Sequence, residues 1–182
     1  KRFESKARVN AMQSATMSIT KHKGLLELTR TLLLQQTMTS LLETLTQVAQ
    51  GAGIADTVTL VLFDNNSERV SFYGIDPHHQ PVSYEDETLL ATGPVHTLLS
   101  NPKIQVWRSD ALQLRYPQLS ALNLYPPFTG YCLVPLVASC GLLGGCEVTR
   151  NNATPFSAED KKGLHELCML AAIAVEQIQL RE

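Results

Sequence analysis

CLVPLVASCGLLGGCEV, residues 132 to 148, is the stretch that most restricts how this chain folds. Leu133 to Ala138 and Leu142 to Val148 are apolar at odd and even positions alike, with Glu147 the one charged residue. A strand with one wet face alternates apolar and polar residues, so this pair of strands must be covered on both faces. Ser139-Cys140 reads as the two-residue turn between them. Under that register Cys132 lies opposite Glu147 and Cys146 opposite Leu133, which sends the two thiols to opposite faces. Cys140 sits at the tip, about 20 Å from either at roughly 3.3 Å per residue. Cys168 falls on the apolar stripe of the last helix. Neither a C-x-x-C pair nor a histidine at ligand spacing accompanies these residues, so zinc is poorly supported, and the thiols read as small buried hydrophobes. Glu147 is the odd residue of the run. Burying it costs several kcal/mol unless it is paired, with Arg150 or a middle-segment arginine as candidates; an edge-exposed carboxylate is the blander reading.

The flanks supply helices for one face. In GLLELTRTLLLQQ, Leu25, Leu28 and Leu32 form a helical stripe with Leu26 and Leu33 beside it. Ser40-Leu-Leu-Glu43 reads as a capping box opening a second helix with Leu41, Leu42, Leu45, Val48 and Ala49 on its apolar face, ended by Gly51 and Gly53. TVTLVLF (57–63) and RVSFY (69–73) form a hairpin across DNNSE. Ser157 to Asp160 caps the closing helix, whose stripe is Leu164, Leu167, Cys168, Ala171, Val175 and Ile178. The plan is α+β with an antiparallel sheet.

Between Gly74 and Gly130 the periodicity fails. IDPHHQP is a loop, a short helix starts near Pro94, KIQVW is a short strand, and short helices and loops follow to Thr129. Long irregular segments of compact domains often carry function. This one gathers Trp107, Arg108, Arg115, Tyr116, Tyr125 and Tyr131, with His96 nearby, and we take these seven as candidate ligand-binding residues. An arginine fork with tyrosine hydroxyls suits a small planar anion, although surface placement is the commoner fate of any one of them. The other motifs are weaker. His78-His79 beside Asp76 reads as a solvated loop. YEDET (84–88) reads as an acidic helix start. Gly51-Ala-Gly53 precedes a strand rather than a helix, and the glycines of GLLGG lack the lysine of a phosphate loop. No G-x-S-x-G elbow occurs.

Net charge of −2 predicts no strong attraction to nucleic acid or anionic lipid, and no run approaches the ~18 apolar residues of a membrane span. Residues 1–24 differ from the rest: six basic residues stand against Glu4 alone, without the apolar centre of a secretory signal. We read 1–24 as a basic, helical or arm-like extension packing on a neighbouring protomer, and 25–182 as the domain. The cysteines then belong to a reduced cytoplasm.

Residues 132–175, with Pro135-Leu136, Gly144, Pro155-Phe156-Ser157-Ala-Glu-Asp160 and a long last helix, resemble the C-terminal half of a GAF domain, and 25–64 resemble its N-terminal half. RTLLLQQ, YEDETLLATGP, LYPPF, YCLVPL and GGCEV, in this order, resemble the N-terminal GAF domain of sigma-54-dependent bacterial activators of formate metabolism. The resemblance implies a central antiparallel sheet of about six strands. Terminal helices that often dimerise cover one face, and short helices and loops roof a ligand pocket on the other. It implies formate as ligand, no cofactor, and a longer protein carrying an AAA+ ATPase and a helix-turn-helix DNA-binding domain. It supplies no formate-binding motif that maps onto this sequence, so the seven candidates rest on chemistry alone. The ligand-contact motif of cyclic-nucleotide GAF domains and a bilin-attachment cysteine are not recognisable. Two other readings stand beside the sensor: a ligand-free dimerisation and docking module, and a GAF-fold methionine sulfoxide reductase using a cysteine set.

Overall fold

The computed structural model describes residues 24–64, 67–76, 78, 80–86, 93–121 and 125–182. Residues 1–23, and with them the expected packing arm, lie outside the described residues, as do His79 and Glu87-Thr88. Two helices open the described chain, α1 over 24–33 and α2 at Met38–Gly51. The second starts earlier than the Ser40–Glu43 box predicts. Thr37 is the N-cap: its hydroxyl accepts from the Ser40 amide at 3.1 Å, and Ser40 Oγ accepts from the Thr37 amide at 3.4 Å. Ser40 is therefore the third helical residue, because Thr37 in extended backbone already reaches the orphan amide. Gly53, at φ +68°, lets the chain leave the helix.

Six strands follow: β1 (Thr57–Phe63), β2 (Val70–Ile75), β3 (Pro81–Asp86), β4 (Gln105–Arg108), β5 (Gly130–Ala138) and β6 (Gly141–Arg150). They form one sheet in the order β3-β2-β1-β6-β5-β4, every neighbour antiparallel. Tyr84, Glu85 and Asp86 belong to β3 and do not open a helix, since Pro81–Asp86 finds a full ladder on β2. Between β3 and β4 a 3₁₀ helix spans Pro94–Leu99 with Pro94 in its first turn, and α3 (Ser109–Arg115) and α4 (Pro117–Ala121) precede β5. The chain closes with α5 (Ala158–Gln179), where Ser157 and Asp160 form the expected capping box.

The sheet is buried on both faces. Leu60, Leu62, Cys132, Val134, Cys146 and Val148 pack under α2 and α5. Val61, Phe72, Tyr131 and Leu133 pack under the middle segment through Val95, Leu98, Leu112 and Leu119. Arg150 ties the sheet to the start of α5: it is 4% exposed, stacks at 3.8 Å on the Phe156 ring, and bonds Asp160 at 3.0 Å.

The hairpin register departs from the expected one. Ala138 pairs with Gly141 across the Ser139-Cys140 turn and Val137 with Leu142, but Leu136 then pairs with Gly144. Leu143 is an extra residue in β6, a β-bulge. Beyond it the register has moved by one: Cys132 faces Val148, Val134 faces Cys146, and Leu133 faces Glu147. Cys132 and Cys146 consequently share the helical face instead of opposite faces, with Cys168 of α5 beside them. The glycine at 144 permits the bulge. Its φ is +151°, and a Cβ there would stand 2.1 Å from the Val61 carbonyl oxygen.

Gly144→Ala is accordingly expected to lower the unfolding free energy by about 3 kcal/mol or more in denaturant titrations, through strained φ and backbone overlap with β1. All four cysteines are free thiols, and Cys140 alone is exposed. A thiol reagent should therefore modify one group rapidly in the native protein and four in denaturant.

Candidate functional site

The register shift that gathers the thiols turns Glu147 toward the middle segment. Glu147 is 2% exposed and lies between Thr59 on β1 and Leu133 on β5. Its partners are phenols. The Tyr125 hydroxyl donates to its carboxylate, 3.0 Å from one oxygen and 2.9 Å from the other, and the Tyr131 hydroxyl donates to Oε2. The expected pairing with Arg150 does not occur, because Arg150 shares the opposite face with Gly130 and is engaged by Asp160. Nor is Glu147 an exposed edge residue, since β1 and β5 flank its strand.

Aromatic rings build the walls of this cluster. Phe72 meets Tyr125 edge to face at 6.0 Å, Phe128 meets Tyr125 at 6.0 Å, and Phe128 and Tyr131 lie 6.1 Å apart. Gly145 supplies room beside it: a Cβ there would stand 2.6 Å from Leu133 Cδ1 and 3.0 Å from Leu98 Cδ1. The 3₁₀ helix thereby settles close onto the sheet. Burial pushes the Glu147 carboxyl up to about 7, with the two phenol hydrogen bonds pulling the other way. Burial and the adjacent carboxylate raise the Tyr131 hydroxyl well above its usual range.

The seven residues singled out in the sequence separate into three places. Tyr125 and Tyr131 meet at Glu147. Trp107 and Tyr116 contact edge to face at 5.9 Å with the Arg115 guanidinium 5.5 Å from the Tyr116 ring centre. Trp107 and Arg108 also border a cavity of about 440 Å³ between β4 and the β6–α5 connection, with Thr129, Asn152 and Phe156 among its walls. Arg108 pairs with Asp110 at 3.3 Å, both largely in solvent. His96 is exposed on the 3₁₀ helix. Neither arginine is among the hydrogen-bond partners of Glu147. Glu147 is the central residue that the reading of the sequence left out of the site; its signal there is an isolated acid in a strand apolar on both faces.

The thiols form no comparable site. Burial drives the Cys132 thiol up to about 12, and contact with the Cys168 thiol, together with burial, raises Cys146 well above the ordinary range. Among the described residues no group of three or more His, Cys, Asp or Glu is placed to hold a metal ion. No helix of the described residues is long and apolar enough to cross a membrane.

A carboxyl with a raised folded pKa stabilises the fold most when protonated. Between its ordinary value near 4.5 and about 7 the folded chain keeps a proton that the unfolded chain has released, so stability falls as pH rises through that window. The loss attributable to Glu147 should be roughly 3 kcal/mol above pH 7. The difference in unfolding free energy between wild type and Glu147→Gln, followed from pH 4.5 to 8, should shift by that amount in favour of the variant.

No family model matches the chain. Over 170 residues, 93% of the chain, it is 39% identical to the formate hydrogenlyase transcriptional activator of Salmonella typhimurium and 38% identical to that of Escherichia coli. The chain spans about a quarter of the length of these relatives, 25% in each case. Among solved structures it is similar to the GAF domain from a phosphoenolpyruvate-protein phosphotransferase of Coxiella burnetii, with a TM-score of 0.64 at 16% identity, covering 87% of this chain and 94% of that one. The chain therefore has the fold of a GAF domain and is related in sequence to a segment of the formate hydrogenlyase transcriptional activators.

Proposed function

We propose that the chain is the regulatory, small-molecule-sensing GAF domain of a bacterial, cytoplasmic transcriptional activator of formate metabolism, and not an enzyme. The relationship to the activators over 93% of the chain carries this reading. On this reading the rest of the activator supplies an AAA+ ATPase and a DNA-binding domain, and this domain biases them. The raised thiols argue against the reductase alternative, which needs a low-pKa thiolate within reach of substrate.

Formate, or another small planar anion, is the candidate ligand, and the aromatic face around Glu147 is where donors converge. Signal transfer would use paired terminal helices. Met169 and Ile173, one turn apart on α5, and Leu25 and Leu26 on α1 are exposed apolar residues suited to pairing with a second copy. A ligand acts on such a pair only through different affinity for two arrangements.

One observation favours a ligand-free dimerisation and docking module as the second reading: the Tyr125 and Tyr131 hydroxyls are already engaged by an internal carboxylate. Calorimetry separates the two. A ligand of three heavy atoms gains at most about −1.5 kcal/mol per atom, which puts formate affinity near millimolar. Titration at pH 6 should give saturable heat in the millimolar range. A flat titration up to tens of millimolar would leave the docking module as the function.

A further inference from the structure

We propose that Glu147 takes up a proton when this face of the sheet binds a small carboxylate, so that formate occupancy is tied to pH. The inference rests on the sensing reading above and adds a regulatory term to it.

The geometry demands a choice of charge state. Tyr125 and Tyr131 each own one hydroxyl proton, and both are directed at Glu147. The neighbours of Glu147 on the other elements are Thr59 of β1 and Leu133 of β5, neither charged, and its own strand carries Gly145 on the same side, under Leu98. His96 of the 3₁₀ helix is exposed, Phe72 of β2 touches the cluster through Tyr125, and Arg150 belongs to the opposite face. Among the described residues Glu147 has no ion-pair partner. A formate reaching the same hydroxyls would set a second negative charge beside the first in a site of low polarity, and two such carboxylates do not both stay ionised.

Protonation resolves both deficits. A proton taken from solvent forms an O–H on Glu147, formate stays the anion, and the net charge of the site is unchanged by binding. The ligand carboxylate then meets two donors, the Tyr125 phenol and the Glu147 carboxylic acid, while the Tyr131 phenol continues to hold the other Glu147 oxygen. The O–H···O⁻ contact between the two carboxyl groups is a charge-assisted bond, stronger than the phenol contacts. Tyr125, whose hydroxyl is shared between the two Glu147 oxygens, can turn to the ligand while Tyr131 keeps Oε2. Burial has already brought the carboxyl to about 7, so the proton is available near neutral pH.

Formate calorimetry between pH 6 and pH 8, in two buffers of different ionisation heat, tests this. Affinity should be about tenfold weaker at pH 8 than at pH 6, with nearly one proton absorbed per formate at pH 8 and almost none at pH 6. Glu147→Gln, a neutral amide donor in the same position, should bind formate with equal affinity at both. Wild-type binding that is independent of pH, with heat that does not change between buffers, overturns the inference and leaves the sensing reading in place. PH dependence that survives in the variant assigns the proton elsewhere and also overturns it. Absence of formate heat at every pH, in both proteins, removes the sensing reading and this inference together. Should the variant not fold, the buffer dependence of the wild-type heat decides alone.

Discussion

The bulge at Leu143 decides what each face of this domain contains. With Ala138 and Gly141 closing a two-residue turn, an unbroken ladder would send Glu147 to the helices and part the two strand cysteines. One extra residue reverses every position of β6 beyond it, because side chains in a strand alternate with a period of two. Thiols and aliphatic side chains then meet α2 and α5, and the only acid of the strand meets tyrosines. The backbone tolerates the bulge because residue 144, pressed against β1, has no Cβ.

Two buried charges are treated differently on the two faces. Arg150 is compensated by an ion pair and an aromatic ring, an arrangement that fixes the first turn of α5 against the end of β6. Glu147 receives neutral donors only, and two phenol hydrogen bonds are weaker compensation than an arginine fork. A carboxylate placed that way sits close to its neutral form. Groups with shifted proton affinity tend to cluster where proteins do chemistry or recognise ligands, and this one lies under the segment most unlike regular structure. The helical face, by contrast, is ordinary apolar packing with an exposed strip on α1 and α5.

Much of the architecture was legible because it rests on local pattern. Apolar residues at every position of 132–148 require two covered faces; the stripe from Leu164 to Ile178 and the Ser157–Asp160 box require a helix starting where α5 starts. Pro94 opened the 3₁₀ helix for the reason expected of a proline in a first turn. The site was less legible. His96, Arg108 and Arg115 have suitable chemistry and face solvent, while Tyr125 and Tyr131 converge on an acid that no spacing rule links to them.

Sequence alone determined the α+β plan, the two-sided hairpin, the helix stripes and the GAF resemblance, since each depends on periodicity or on residues close together along the chain. The tertiary structure alone decided the ladder register, and with it which residues are neighbours. A single bulge costs little locally and leaves the apolar pattern unchanged, because both faces are equally apolar and either register buries the strand. The close approach of Gly144 to β1, the fit of Gly145 under Leu98 and the phenols on one side favour the observed register.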